Sequence, residues 1–155
     1  MIRKFLYFCF FASICSIALA QIDNPDAAAV SETISTAIIH PIDQKVMDLL
    51  EADQSTNGQV QALFKGSELW DEELNRVYKE LVKSYGKNEE LKTALKNAQN
   101  AWIKFRDAEQ MHLQAIFATK EGTMYRIFLA SDNLEIIKSR AIELQKRLDD
   151  FTESN

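Results

Sequence analysis

From Ile127 to Phe151 the apolar residues Ile127, Ala130, Leu134, Ile137, Ala141, Leu144, Leu148 and Phe151 follow one another at alternating steps of three and four, without a miss. That spacing lines one side of an α-helix, whereas a strand would need alternation at every second residue. It predicts a long helix whose seam is buried against other long helices, as in an antiparallel bundle. The fold class expected is therefore all-α: a small bundle of three long helices plus short N-terminal helices.

The remaining chain agrees with that frame. From Gln59 to Tyr85 the residues Val60, Leu63, Phe64, Trp70, Leu74, Val77, Leu81 and Tyr85 mark a second long helix. Gly66 weakens its middle by about 1 kcal/mol relative to alanine, so a break there is expected. Gly86 suits its C-terminal cap. A third long helix runs from Asn88, as N-cap, to about Lys120, with Leu91, Leu95, Ala98, Trp102, Phe105, Ala108, Leu113 and Ile116 facing inward. Glu89 and Glu90 complement its dipole at the first turn. Short helices are expected over Ala27–Ile39 and Pro41–Ala52, the second opening on Pro41, with Asp53–Gly58 as a loop by composition. No strand-like alternation competes, and the whole chain holds 4 glycines and 2 prolines.

The first 20 residues read as an address rather than as fold. Arg3 and Lys4 precede an uncharged apolar stretch from Phe5 to Ile17, and Ala18, Leu19 and Ala20 form a small-x-small cleavage site before Gln21. This is the pattern of a secretory signal cut after Ala20, which places the mature protein in the periplasm or outside the cell. Lipid anchoring asks for a small residue before the acylated cysteine, but Phe8 precedes Cys9 and Ile14 precedes Cys15. An uncleaved anchor is the other alternative, as about 20 apolar residues can span a bilayer; the Ala-Leu-Ala site argues against it. The membrane is thus expected to matter only during export.

Charge and cysteine usage exclude several functions. Lys and Arg total 18 against 23 Asp and Glu, and Arg3 and Lys4 both fall in the signal. The mature chain is accordingly more acidic than the formal −5 of the whole, a poor surface for nucleic acid and an attractive one for a basic protein. Both cysteines lie in the signal as well, so the mature chain has no disulfide, cysteine-bound zinc or thiol nucleophile.

Glu109 and His112 have the Glu-x-x-His spacing of carboxylate-bridged metal sites in bundles. The second copy is missing, because Ala37 stands at the matching offset from His40; no metal and no cofactor is expected. No serine sits in a strand-turn-helix elbow. Asp71, Glu72, Glu73, Asp107 and Glu109 supply carboxylates, but solvated helices carry many, and no catalytic residue is assigned.

One stripe stands out. Gln99, Trp102, Arg106, Glu109 and Gln110 share a face of the third helix, and Asn75 and Tyr78 share one on the helix before it. If these helices pack antiparallel about Gly86, equal counting brings Gln99 to Asn75, Trp102 near Trp70 and Arg106 near Gly66. Two readings are open. Arg106, Gln99 and Asn75 form a buried polar network with Trp102 supplying area, or Trp102, Arg106 and Tyr78 are exposed anchors for a protein partner.

Three segments resemble the LprI-like lysozyme-inhibitor family: WDEELNRVY at Trp70 to Tyr78, AQNAWIKFRDAE at Ala98 to Glu109, and SRAIEL at Ser139 to Leu144. The most specific elements are Asp-x-x-Leu-Asn-x-x-Tyr, from Asp71 to Tyr78, and Gln-x-x-Trp-x-x-x-Arg-Asp-x-Glu, from Gln99 to Glu109. The resemblance implies a small exported helical protein whose partner is a basic lysozyme. The stripe and these motifs together make Asn75, Tyr78, Gln99, Trp102, Arg106, Asp107, Glu109 and Arg140 the candidate structural or partner-binding residues. Family members commonly carry cysteines after the Arg-Asp-x-Glu element and before the Arg-x-x-x-Leu element; here those places hold Gln110 and residues around Asp132, so the bundle must hold without staples.

The expected division is a signal at 1–20, a leader with short helices at 21–56, and the helical domain at 57–152. The expected function is envelope protection by occlusion of a lysozyme-type muramidase, without enzymatic activity. An adaptor that binds another envelope protein is the alternative, and a ligand-binding or catalytic bundle with a deep pocket at Trp102, Arg106 and Tyr78 a third.

Overall fold

The computed structural model describes residues 39–154. The expected signal, the leader and the short helix expected over Ala27–Ile39 lie outside the described residues, apart from Ile39, which is not helical. The structure has α1 (Pro41–Ala52), α2 (Thr56–Ser84), α3 (Glu89–Ala118) and α4 (Met124–Glu153). No strand occurs among the described residues. α2, α3 and α4 are 29, 30 and 30 residues long and α1 is 12. Three long helices and one short one are thus in place.

Local sequence accounts for the starts of α1, α2 and α3 and for the turns after α2 and α3. His40 caps α1 with its imidazole, Nδ1 accepting from the Ile42 N–H at 3.2 Å, and Pro41 follows at the first helical position, where its missing N–H costs nothing. Ser55 Oγ accepts from the Gly58 N–H at 3.0 Å and starts α2 earlier than composition suggested. The loop therefore shrinks to Asp53–Ser55. Asp53 accepts from the Ser55 N–H at 2.9 Å, and hydrogen bonding to the Ser55 side chain, then to its backbone, holds the Asp53 carboxyl below the usual value. At the far end of α2, Gly86 adopts φ +56, and Asn88 Oδ1 accepts from the Leu91 N–H at 3.0 Å to begin α3. Gly122, at φ +98, lies in the turn into α4.

The expected break at Gly66 does not occur; α2 is continuous. A Cβ at Gly66 would stand 2.5 Å from Leu134 Cδ1 and 2.7 Å from Val46 Cγ2. Glycine is there to let side chains of α1 and α4 reach the α2 backbone.

The most extensive interface joins α2 to α4, and α1 covers the N-terminal half of α2. Gly66 lies against Leu134, and Arg76 bonds to Gln145; residue numbers rise together, so α2 and α4 run parallel. The α4 seam therefore serves a parallel neighbour rather than the antiparallel one expected. α3 returns antiparallel to both. Every seam residue from Ala130 to Leu148 is buried, with Leu144 at 0% exposure, and each such leucine contributes about 1.5–3 kcal/mol by leaving water. The core has two parts. Val46, Val60, Trp70, Leu134 and Ala141 lie in one, and Val77, Leu81, Leu95, Leu144 and Leu148 in the other.

α3 departs from expectation. Its only buried residues are Leu95 and Gln99, while Phe105, Met111 and Ile116 are exposed and Ala98 and Ala108 also face solvent. α2 and α4 already bury each other's seams and share α1, so α3 closes against α4 at one end and then stands away. Among the described residues, no helix is long and apolar enough to cross a membrane.

Candidate functional site

Gln99 and Arg140 are the buried polar side chains among the described residues, at 9% and 6% exposure. Arg140 Nε donates to Gln99 Oε1 at 3.1 Å, and Nη1 donates to Glu143 Oε2 at 2.7 Å. Nη2 is buried with no acceptor among the described residues. The guanidinium lies 6.0 Å from the Trp102 ring centroid, and Arg106 covers that ring at 5.4 Å. Two cations thus lie within reach of the Trp102 ring, each attracted by its π-electrons.

This arrangement corrects the network drawn from sequence. Gln99 meets Arg140 on α4, not Asn75 on α2. Asn75 is exposed and donates to the Asp71 carbonyl at 2.8 Å and to its carboxylate at 3.0 Å. Arg106 pairs with its neighbour Asp107 at 2.7 Å and does not join Gln99. Tyr78 is half-buried against the second core cluster. Trp102 does pack against the cluster that contains Trp70. The stripe is therefore divided: Gln99 is locked inside, and Trp102, Arg106, Glu109 and Gln110 are half-buried, with Phe105 and Asp107 beside them facing water.

Where α3 leaves α4, a cleft of about 540 Å³ opens, with Trp102, Phe105, Glu109 and Leu113 on the α3 side and Asp132, Glu135, Ile136, Arg140 and Glu143 among the α4 residues. Both sets recur at steps of three and four, so each is one helix face. Glu143 is already engaged by Arg140 and Arg147. Glu135 has only Lys138 at 4.0 Å, and Glu109 only the His112 imidazole at 3.5 Å. Among the described residues Asp132 has no ion pair, and desolvation raises its carboxyl above the usual value although much of it faces solvent.

On the opposite side of α4 a second polar cluster ties down α1. Trp70 Nε1 donates to Asp43 Oδ1 at 3.2 Å, Lys138 Nζ pairs with Asp43 Oδ2 at 2.9 Å, and His40 stacks on Trp70 at 4.4 Å between centroids. Sequence reasoning missed this cluster; nothing in local spacing joins Asp43 to residues so distant. On α2, Arg76 bridges Glu73 at 2.6 Å and Glu80 at 2.7 Å. These bonds push the guanidinium above its usual value and hold Glu73 below its own. Among the described residues, no group of three or more His, Cys, Asp or Glu is placed to hold a metal ion.

Among solved structures, an uncharacterized protein from Burkholderia thailandensis superposes with a TM-score of 0.68 at 26% sequence identity, covering 74% of this chain and 56% of that one. The chain thus spans little more than half the length of that structure. No curated protein matches it. Residues 50–144 match the sequence profile of the family described as "Lysozyme inhibitor LprI", a span that takes in α2, α3 and the Gln99–Arg140 bond, and the chain belongs to that family.

Proposed function

We propose that this protein is an exported binding protein that protects the cell envelope by occluding a lysozyme-type muramidase. The observation that carries the reading is the family match over residues 50–144. The signal-like first 20 residues support export, and the excess of 23 acidic over 18 basic residues supports a basic partner. A cationic enzyme is drawn toward such a surface from a distance, and a bundle seated over its substrate groove blocks it without any bond being made or broken.

The test is inhibition of a basic lysozyme acting on cell-wall substrate, with purified residues 21–155. Micromolar or tighter inhibition that weakens from low to high salt is expected, because the attraction is screened beyond about 10 Å at 0.1 M. Unchanged lysozyme activity at low salt and excess protein rejects the reading. Recovery of an envelope assembly factor in place of a muramidase would favour the adaptor alternative.

A further inference from the structure

We infer that the cleft between α3 and α4 is a docking groove for a cationic segment of protein, a lysine or arginine flanked by an apolar side chain. The inference rests on the lysozyme reading for the partner's identity, but not for the chemistry of the groove.

The argument starts from why the cleft is open. Leu95 and Gln99 pack α3 onto α4, and beyond them Trp102, Phe105 and Glu109 continue the same α3 face. Counting equal numbers of residues from the Gln99–Arg140 bond brings Glu109 level with the turn that carries Asp132. A seam that would set carboxylates against each other resists closing, since like charges brought together in a desolvating interface repel. A cation seated between Glu109, Asp132 and Glu135 reverses that term. Among the described residues these are also the most weakly paired acids of the cleft, Glu135 with Lys138 at 4.0 Å and Glu109 with the His112 imidazole at 3.5 Å, whereas Glu143 is engaged twice.

The walls select for more than charge. Phe105 is 56% exposed on one lip, and Trp102 is half-buried at its foot, held by Arg106 and Arg140. An apolar surface framed by acids is the counterpart of a basic segment that also presents an aliphatic or aromatic group. Arg140, 94% buried on the cleft wall, keeps Nη2 without an acceptor. A small outward shift of the guanidinium offers that donor to a backbone carbonyl, which a polypeptide supplies and a bare cation does not.

The test uses residues 21–155 with Trp70→Phe, so that Trp102 is the remaining tryptophan and its emission reports the cleft. Binding is followed with a basic lysozyme and with a synthetic peptide of alternating lysine and leucine. Asp132→Lys/Glu135→Lys is expected to weaken both interactions by at least about tenfold, and Phe105→Ala by several-fold. The control Glu51→Lys/Glu153→Lys changes net charge equally at exposed sites outside the cleft lining, and is expected to stay within about threefold. If lysozyme binds and both pairs weaken it equally, the groove is overturned while the inhibitor reading stands. If lysozyme does not bind but the peptide does, with loss in Asp132→Lys/Glu135→Lys alone, the groove stands and the inhibitor reading falls. No peptide binding in the wild type, saturation of the Trp102 signal by calcium alone, or self-association that alone accounts for that signal overturns the groove.

Discussion

Arg140 and Gln99 face each other across α3 and α4, Nε donating to Oε1 at 3.1 Å, both side chains almost closed to solvent. Removing one partner leaves the other buried and unsatisfied, which typically costs about 1–3 kcal/mol. Gln99→Leu and Arg140→Met are each expected to lower stability by that order in urea unfolding. In Gln99→Leu/Arg140→Met the loss should be smaller than the sum, because an apolar pair leaves nothing unsatisfied at this contact. Additive losses would show that the bond contributes no coupling.

How much of this was legible in the sequence depends on what the residues encode. The α4 seam from Ala130 to Leu148 is buried as its period required, because period specifies which residues share a face. Period does not specify whether a neighbour covers that face. Phe105 has the same spacing relation to Trp102 that core residues have, yet it lies outside because α2 and α4 pack on each other. The pairing of Gln99 with Asn75 failed for a related reason. Counting outward from Gly86 assumes that α3 packs on α2, while its polar contact is with α4. Arg140 entered the sequence reading through resemblance to a family; helical spacing alone gave no sign that it would be buried.

Gly66→Ala separates helix propensity from packing. In an exposed helix the change would gain about 1 kcal/mol, but here the new methyl meets Leu134 at 2.5 Å and Val46 at 2.7 Å. Both are buried and have little room to retreat, so overpacking of about 1–3 kcal/mol is expected to dominate. The melting temperature should fall, and an unchanged or higher value would mean that α1 shifts freely to make space.

Acid titration should show two carboxyls acting with opposite sign. Arg76 holds the Glu73 carboxyl below its usual value, so the pair contributes stability above about pH 4.3, the unfolded value. That contribution is lost as pH falls through the depressed folded value. Glu73→Gln should therefore be less stable than wild type at neutral pH and converge with it in strong acid. Desolvation raises Asp132, so its penalty is present at neutral pH and disappears as pH falls through the raised value toward the unfolded one. Asp132→Asn should be slightly more stable at neutral pH and indistinguishable below about pH 3.9. Urea midpoints measured across pH 2–7 check both signs.

The last prediction concerns what keeps α1 in place. Val46 is the buried residue of this 12-residue helix, with Ile42 and Leu50 partly buried against the same cluster, and a helix so short is marginal without tertiary contacts. The polar clamp supplies the rest: Asp43 accepts from the Trp70 indole at 3.2 Å and pairs with Lys138 at 2.9 Å, with Lys138 also 5.6 Å from the Trp70 ring centroid. Asp43→Ala strips the indole of its acceptor and Lys138 of its counter-ion together, so α1 should open locally more often. Amide exchange across Pro41–Ala52 is expected to quicken by about tenfold or more, while Leu74 to Leu81 in α2 keep their protection. Asp43→Asn retains an acceptor for the indole but not the charge for Lys138, and should fall between the two. Equal acceleration in α1 and α2 would mean that the clamp supports the whole bundle and α1 has no opening of its own.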